Sequence, residues 1–312
     1  KKTKKVKKTK IPKKNKIKAT AKIIEKKSVS QNPDEKPEIK KIKKQATEKK
    51  QYNIKDLNIV FGSIYEQFGS GTSLRTWEDK SLGINNSLLG LNVNYKLTDE
   101  INLTSLIGQQ KKGFKYSKGF VFGVDSEIDI SQLIDSNSTF LFGLSYVGRN
   151  DQEIKSESFD NLTNLCSVRI DYSGNAFYTN LEITQKSNNP ILVFGTPSDS
   201  FIKKGSAYLL NTGFFNKGLG LDFTFRRLEN MTLYSEIAAA GNEFNESIVN
   251  YLPALTKQHD YSLTNLYVYA AQPDVNFYVE DLTKAGEIGF QTDLYYSFKK
   301  ESFLGGKYGT SI

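Results

Sequence analysis

Methionine, cysteine, tryptophan and histidine each occur once in the chain's 312 residues. With one histidine and one cysteine there is no ligand spacing from which a metal centre could be assembled. The lone Cys166 cannot close an internal disulfide, so cysteine usage says nothing of the redox compartment. His259 has no second histidine and no serine or cysteine elbow beside it, and nucleophile, base and orienting group must come together for triad chemistry; an enzyme is therefore disfavoured. Gly-Ser-Gly-Thr at 69–72 lacks the lysine and the following helix of a phosphate cradle. A run of about 18 apolar residues is missing too, which excludes a helical membrane span. So is a basic region followed by an apolar stretch of signal-peptide length.

What is abundant is tyrosine (17), phenylalanine (20) and glycine (23), a composition suited to β-strands joined by tight turns. The formal net charge of +9 is the sum of two unlike parts. Residues 1–50 hold 21 lysines against 5 acids, a surplus of 16, so the remainder carries −7. The opening KKTKKVKKTKIPKKNKIK is too charged to bury a core, and 1–50 is expected to be a disordered lysine-rich tail that packs on nothing. Without interleaved aromatics for base stacking, nucleic-acid binding is disfavoured for it.

Residues 51–312 read as a succession of alternating strands. Leu57, Ile59 and Phe61 begin it. After a polar loop come Leu89 to Leu97, Ile101 to Ile107, Phe120 to Ile130, Phe140 to Tyr146, Cys166 to Tyr172, Phe177 to Ile183, Tyr208 to Phe214, Leu219 to Phe225 and Ile288 to Phe298. In each, apolar residues occupy one face and Gly, Asn, Asp, Glu or Arg the other. Short turns near 98–100, 131–138, 173–175 and 215–218 alternate with longer loops at 109–118, 149–164 and 186–204. Runs of about nine to twelve residues, one greasy and one charged face, and loop lengths alternating short and long are the pattern of a membrane barrel with short periplasmic turns. Tyr95, Tyr146, Tyr172, Phe214 and Phe298 are placed to form interfacial girdles. The expected fold class is all-β: an antiparallel up-and-down meander forming part of a transmembrane β-barrel, of about ten or eleven strands.

The segments IYEQFGSGTSLRTWEDKSLGINNSLLG, GLGLDFTFRRLENM, NYLPALTKQHDYSLTNLYVYAAQP and GEIGFQTDLYYSFKK…LGGKYGT carry a resemblance. Over residues 55–312 the chain resembles a family of outer-membrane β-barrel proteins from Bacteroidota, catalogued as a domain of unknown function. Members of that family carry a signal peptide and further strands before the YEQFGSG segment and continue past LGGKYGT. The resemblance therefore implies that this chain is an internal portion of a larger barrel.

Candidate site residues fall in two groups. Glu66, Arg75, Glu78, Asp79 and Lys80 lie in or beside the loop after the first strand. They would either form an infolded constriction, where opposed charges set selectivity, or stand as solvated charges outside. Asp125, Glu127, Asp129, Arg169, Asp171, Glu182, Asp222, Arg226 and Asp293 occupy the polar face and are expected to line a wet lumen. The function expected is structural, transport or secretion-scaffold, without catalysis and without a cofactor. Its partners would be outer-membrane lipid and a small solute or a secretion-machinery protein. A surface or soluble β-sheet module binding glycans is the alternative, and detergent dependence separates the two.

Overall fold

The computed structural model describes residues 50–80, 84–112, 115–134, 136–152, 156–193, 196–238, 247–252 and 286–311. All of them belong to one compact unit, Thr47–Ile312. The lysine-rich tail lies outside the described residues except for Lys50, which pairs with Phe61 in the first hairpin.

Alternation becomes a single antiparallel sheet of twelve strands, each pairing with the next strand of that sheet along the chain. It opens with β1 (Lys50–Ile54) and β2 (Leu57–Ile64). Two short ribbons interrupt it, β3 (Gln67–Phe68) with β4 (Leu74–Arg75) and β5 (Glu78–Asp79) with β6 (Ile84–Asn85). The sheet resumes with β7 (Leu88–Lys96), β8 (Ile101–Lys112) and β9 (Lys115–Asp129), then a one-turn helix α1 (Ile130–Leu133) and β10 (Thr139–Asn150). Next come β11 (Leu162–Ser173), β12 (Phe177–Val193), β13 (Thr196–Asn216), β14 (Leu219–Glu229), β15 (Glu287–Phe298) and β16 (Thr310–Ser311). The ten alternating runs read from the sequence are all present. The two further strands are the edges β1 and β16, too short or too polar to show a period.

Turn chemistry fixes the register. Asn216 pairs with Leu219 across Lys217 and Gly218, both at positive φ (44° and 93°), the geometry of a two-residue hairpin whose twist matches its strands. Between β11 and β12 the polar face stays aligned: Ser167 opposes Thr184, Arg169 opposes Glu182 and Asp171 opposes Asn180.

Two expected loops are corrected. Segments 109–118 and 186–204 continue as hairpin ladder, reaching Lys112 opposite Lys115 and Val193 opposite Thr196. The second ladder passes Pro190 through register shifts after Lys186 and after Pro190 itself. Pro190, opposite Ile202 on β13, lies past the last residue of β12 that pairs with β11, so β12 is bordered there by one partner strand and tolerates a missing N–H. β12 and β13 accordingly measure 17 and 21 residues. One end of the sheet thus has the tight turns after Ile54, Ser173 and Asn216; the other has the two tall hairpins and the connections that follow Ile64, Asn150 and Glu229.

The two faces differ. Phe61, Ile107, Phe120, Val124, Leu144, Val168, Leu221 and Phe290 stand exposed on one, Phe290 at 69%. Aromatic pairs Phe140–Tyr172, Tyr172–Phe177 and Tyr296–Phe298 lie near the tight-turn end of this face. The opposite face holds the core. Its apolar cluster contains Leu88, Leu106, Val121, Val147, Leu165 and Leu228 from the strands, and Phe68, Leu74, Met231, Leu233, Val249 and Leu252 from between them. Burying side chains of this size is worth about 1.5–3 kcal/mol each. The sheet therefore curls around two of its own connections.

Candidate functional site: the infolded plug

Two stretches with little periodicity, of which residues 65–80 with 84–87 and 230–238 with 247–252 are described, enter the concave side and hydrogen-bond to each other. Arg75 N donates to Val249 O and Tyr251 N to Gly71 O, each at 2.8 Å. Asn250, fully buried, donates to both Thr72 O and Met231 O at 2.8 Å, while its side-chain oxygen accepts from Leu233 N at 3.0 Å. A buried backbone segment must have its polar groups paired, and one amide side chain joins the two stretches by filling three such vacancies.

The sheet holds this plug at fixed points. Glu182 on β12 accepts from Ser70 N at 2.9 Å, from the Thr72 hydroxyl, and from Ser167 Oγ at 3.2 Å. Thr72 also meets Thr184 at 2.9 Å. Gln110 Nε2 reaches Ile248 O at 2.7 Å, and the buried Lys186 ammonium donates to Thr232 O at 2.9 Å. Lys112 pairs with Glu236 at 2.9 Å. Glycine supplies the space: a Cβ on Gly123 would stand 2.8 Å from the Phe68 ring, and one on Gly69, at φ +55°, would run into the Arg169 side chain.

The sequence-derived candidates are distributed as follows. Glu66 accepts from Asn92 on the concave face at 2.8 Å. Arg75 is half-buried, with Tyr251 at 4.3 Å on its face and Trp77 at 5.7 Å. Glu78 is exposed and accepts from Asn85 Nδ2 at 2.9 Å and Tyr65 Oη at 3.1 Å. Asp79 pairs through its backbone with Ile84, and Lys80 is exposed. Burial pushes the Tyr65 phenol up; the Asn85 amide opposes this and the Glu78 carboxylate adds to it.

On the strands, Arg169 bonds to Asp125 at 2.8 Å and to Ser145. Asp171 accepts from Asn180 at 2.6 Å, Asp222 accepts from Tyr178, and Asp293, directly opposite Asp222, accepts from Gln291 at 3.0 Å. Arg226 pairs with Glu287. Asp129 has a local task, capping α1 by accepting from Gln132 N at 3.2 Å. Below the plug a cavity of about 540 Å³ is lined by Ser70, Glu127, Arg169, Asp171, Glu182 and Arg226 among others. Candidates from four strands therefore meet around one cavity, to which the first connection contributes Gly69 and Ser70 but none of its own candidates, and Asp222 with Asp293 lies toward the tight-turn end. His259 and the PALTKQHDY segment from Pro253 on lie outside the described residues.

Sequence reasoning missed Thr72, Thr184 and Asn250, which hold the plug, and placed Arg149 in a charged loop. Arg149 is instead only 1% exposed, donating to Thr163 and, at 2.8 Å, to Asn189. A signal for the plug was present. Val121, Val147 and Leu106 make both faces of their strands apolar at the tall-hairpin end, as in Phe120-Val121-Phe122 and Leu106-Ile107, and a strand greasy on both sides is covered on both sides.

No curated protein matches the sequence. Among solved structures, OprD of Pseudomonas aeruginosa is similar at 10% identity and a TM-score of 0.39, over 83% of this chain and 60% of that one. The chain thus spans less than two thirds of that protein's length. A family model described as a family of unknown function, DUF6029, matches residues 27–312, and the chain belongs to that family.

Proposed function

We propose that this chain forms the wall and the internal plug of an outer-membrane β-barrel in a Bacteroidota-type cell envelope, serving solute passage or the docking of a secretion component, without catalytic chemistry. One observation carries the reading. The apolar face of the sheet stands exposed, with no second layer of described residues over Phe61, Leu144, Leu221 or Phe290, whereas the charged face encloses ion pairs, a plug and a cavity. Such a distribution is costly in water, where large exposed apolar patches drive association, and favourable in a bilayer. The tight turns would face the periplasm and the tall hairpins the exterior.

Semi-native electrophoresis tests the membrane reading. Unheated protein should migrate ahead of heated protein and stay in the detergent phase; recovery from the soluble fraction without detergent, with unchanged mobility, would overturn it in favour of a surface binding module. Single-channel recording tests the plug. Deleting residues 72–81 removes the strand-to-plug bonds of Thr72 and should raise conductance several-fold. Unchanged conductance would show that these residues do not limit the path.

A further inference from the structure

The chain has five arginines, all described, and four of them have polar partners along their guanidinium edges. Arg169 meets Asp125 and Ser145, and Arg226 meets Glu287. Arg149 donates to Thr163 and Asn189, and Arg227 reaches Glu229 at 3.4 Å. Arg75 differs. Its backbone N–H ties the two halves of the plug together, but among the described residues its guanidinium is met by ring faces, Tyr251 at 4.3 Å and Trp77 at 5.7 Å. Two carboxylates of the same connection are turned elsewhere, Glu66 to the Asn92 amide and Glu78 to Asn85 and Tyr65. No hydrogen bond or ion pair to the Arg75 guanidinium occurs among the described residues.

A guanidinium gripped through its faces keeps its in-plane N–H donors for another group. The group that matches that planar fork is a carboxylate, bound by two parallel hydrogen bonds. Aromatic faces also make the cation rigid without neutralising it. An arginine serving only to glue two loops would spend its edge on their carbonyls, as Lys186 does on Thr232. We propose that Arg75 is the recognition group for the carboxylate of a small acidic solute, such as a sugar acid, at the plug. This assignment of substrate class rests on the reading of the interior as a solute path.

Trp77, the chain's one tryptophan, lies against Arg75 and reports binding by its emission. Folded, heat-modifiable protein in detergent is titrated with sodium glucuronate, with glucose and with glucuronate methyl ester, at constant ionic strength. The expected result is a saturable change with glucuronate, and a response at least tenfold weaker with the neutral sugar and the ester. Arg75→Gln should weaken glucuronate binding at least tenfold, and Arg75→Lys should fall between, keeping charge but losing the fork. An ester that binds as well as the acid overturns the proposal even if neither variant folds, as does an unchanged titration in Arg75→Gln. The two readings fail separately: a heat-modifiable barrel indifferent to glucuronate removes the carboxylate site alone, and a soluble, glucuronate-responsive protein removes the solute path alone.

Discussion

Glu182 is the residue on which the plug's position turns. It sits in the middle of a β-strand, yet three of its contacts come from a main-chain N–H and two hydroxyls, two of these from a connection more than a hundred residues away. Hydrogen bonds to a charged acceptor contribute about 1.5–3 kcal/mol each, and Glu182→Ala removes them together while leaving the sheet's ladder untouched. The expected outcome is a protein that remains heat-modifiable but whose 65–87 connection is cut by added protease at least ten times faster. Gly123 acts from the other side. Gly123→Ala places a methyl against the Phe68 ring with no room to receive it, and overpacking of that kind costs about 1–3 kcal/mol. A lower midpoint in a denaturant melt of the detergent-solubilised protein checks this, and the restoring partner is Phe68→Leu.

At the level of the strand, the pattern was legible wherever one face was greasy and the other wet. The pairing of Arg169 with Glu182 and the turn at Lys217-Gly218 follow from alternation and turn chemistry. Legibility ended where both faces share one environment. The hairpin tips around Lys111, Lys112 and Lys115 are polar on both sides, and the stretch between Lys186 and Lys204 loses its alternation at Pro190, Pro197 and the unbroken apolar run Ile191-Leu192-Val193-Phe194; both resemble loops, although ladder bonds run along them. The plug was ambiguous for the reverse reason: its residues obey neither period, because their partners are distant chain segments rather than neighbouring turns. Thr72 and Asn250 look like ordinary loop residues until Glu182 and Met231 are brought beside them. Cys166 offers a direct check on which face is which. It is exposed on β11, opposite Tyr146 and Gln185 on the outer side. In membranes it should resist a water-soluble maleimide and react with a lipid-soluble one, and both should label it after denaturation. Rapid labelling by the water-soluble reagent in intact membranes would put that face in water.

For the molecule as a whole, two kinds of contact coexist. Every ladder of the main sheet joins strands consecutive along it, so apart from the hairpins flanking the infolded stretches, closure of the sheet requires only short loops and little chain entropy. The plug is the opposite: Thr72 to Glu182, Gln110 to Ile248 and Asn250 to Thr72 span 110, 138 and 178 positions. Non-local contacts of this reach form late. Refolding into detergent should therefore show β-structure by circular dichroism before Trp77 reaches its final emission, and the two signals should coincide in Glu182→Ala only if the plug never docks. Simultaneous recovery in the unaltered protein would mean that plug and sheet assemble as one.

The Asn250 bridge has a mechanical corollary. Because the Asn250 amide and the two main-chain bonds beside it clasp the stretch after Ile64 to the stretch after Glu229, neither can be drawn outward while the other stays seated; the stopper leaves as one cork, not as two flaps. Pulling on a handle at Lys80 in a force experiment should give one rupture event, and loosening the clasp with Asn250→Ala should lower the force at which it occurs while the two main-chain bonds keep it a single event.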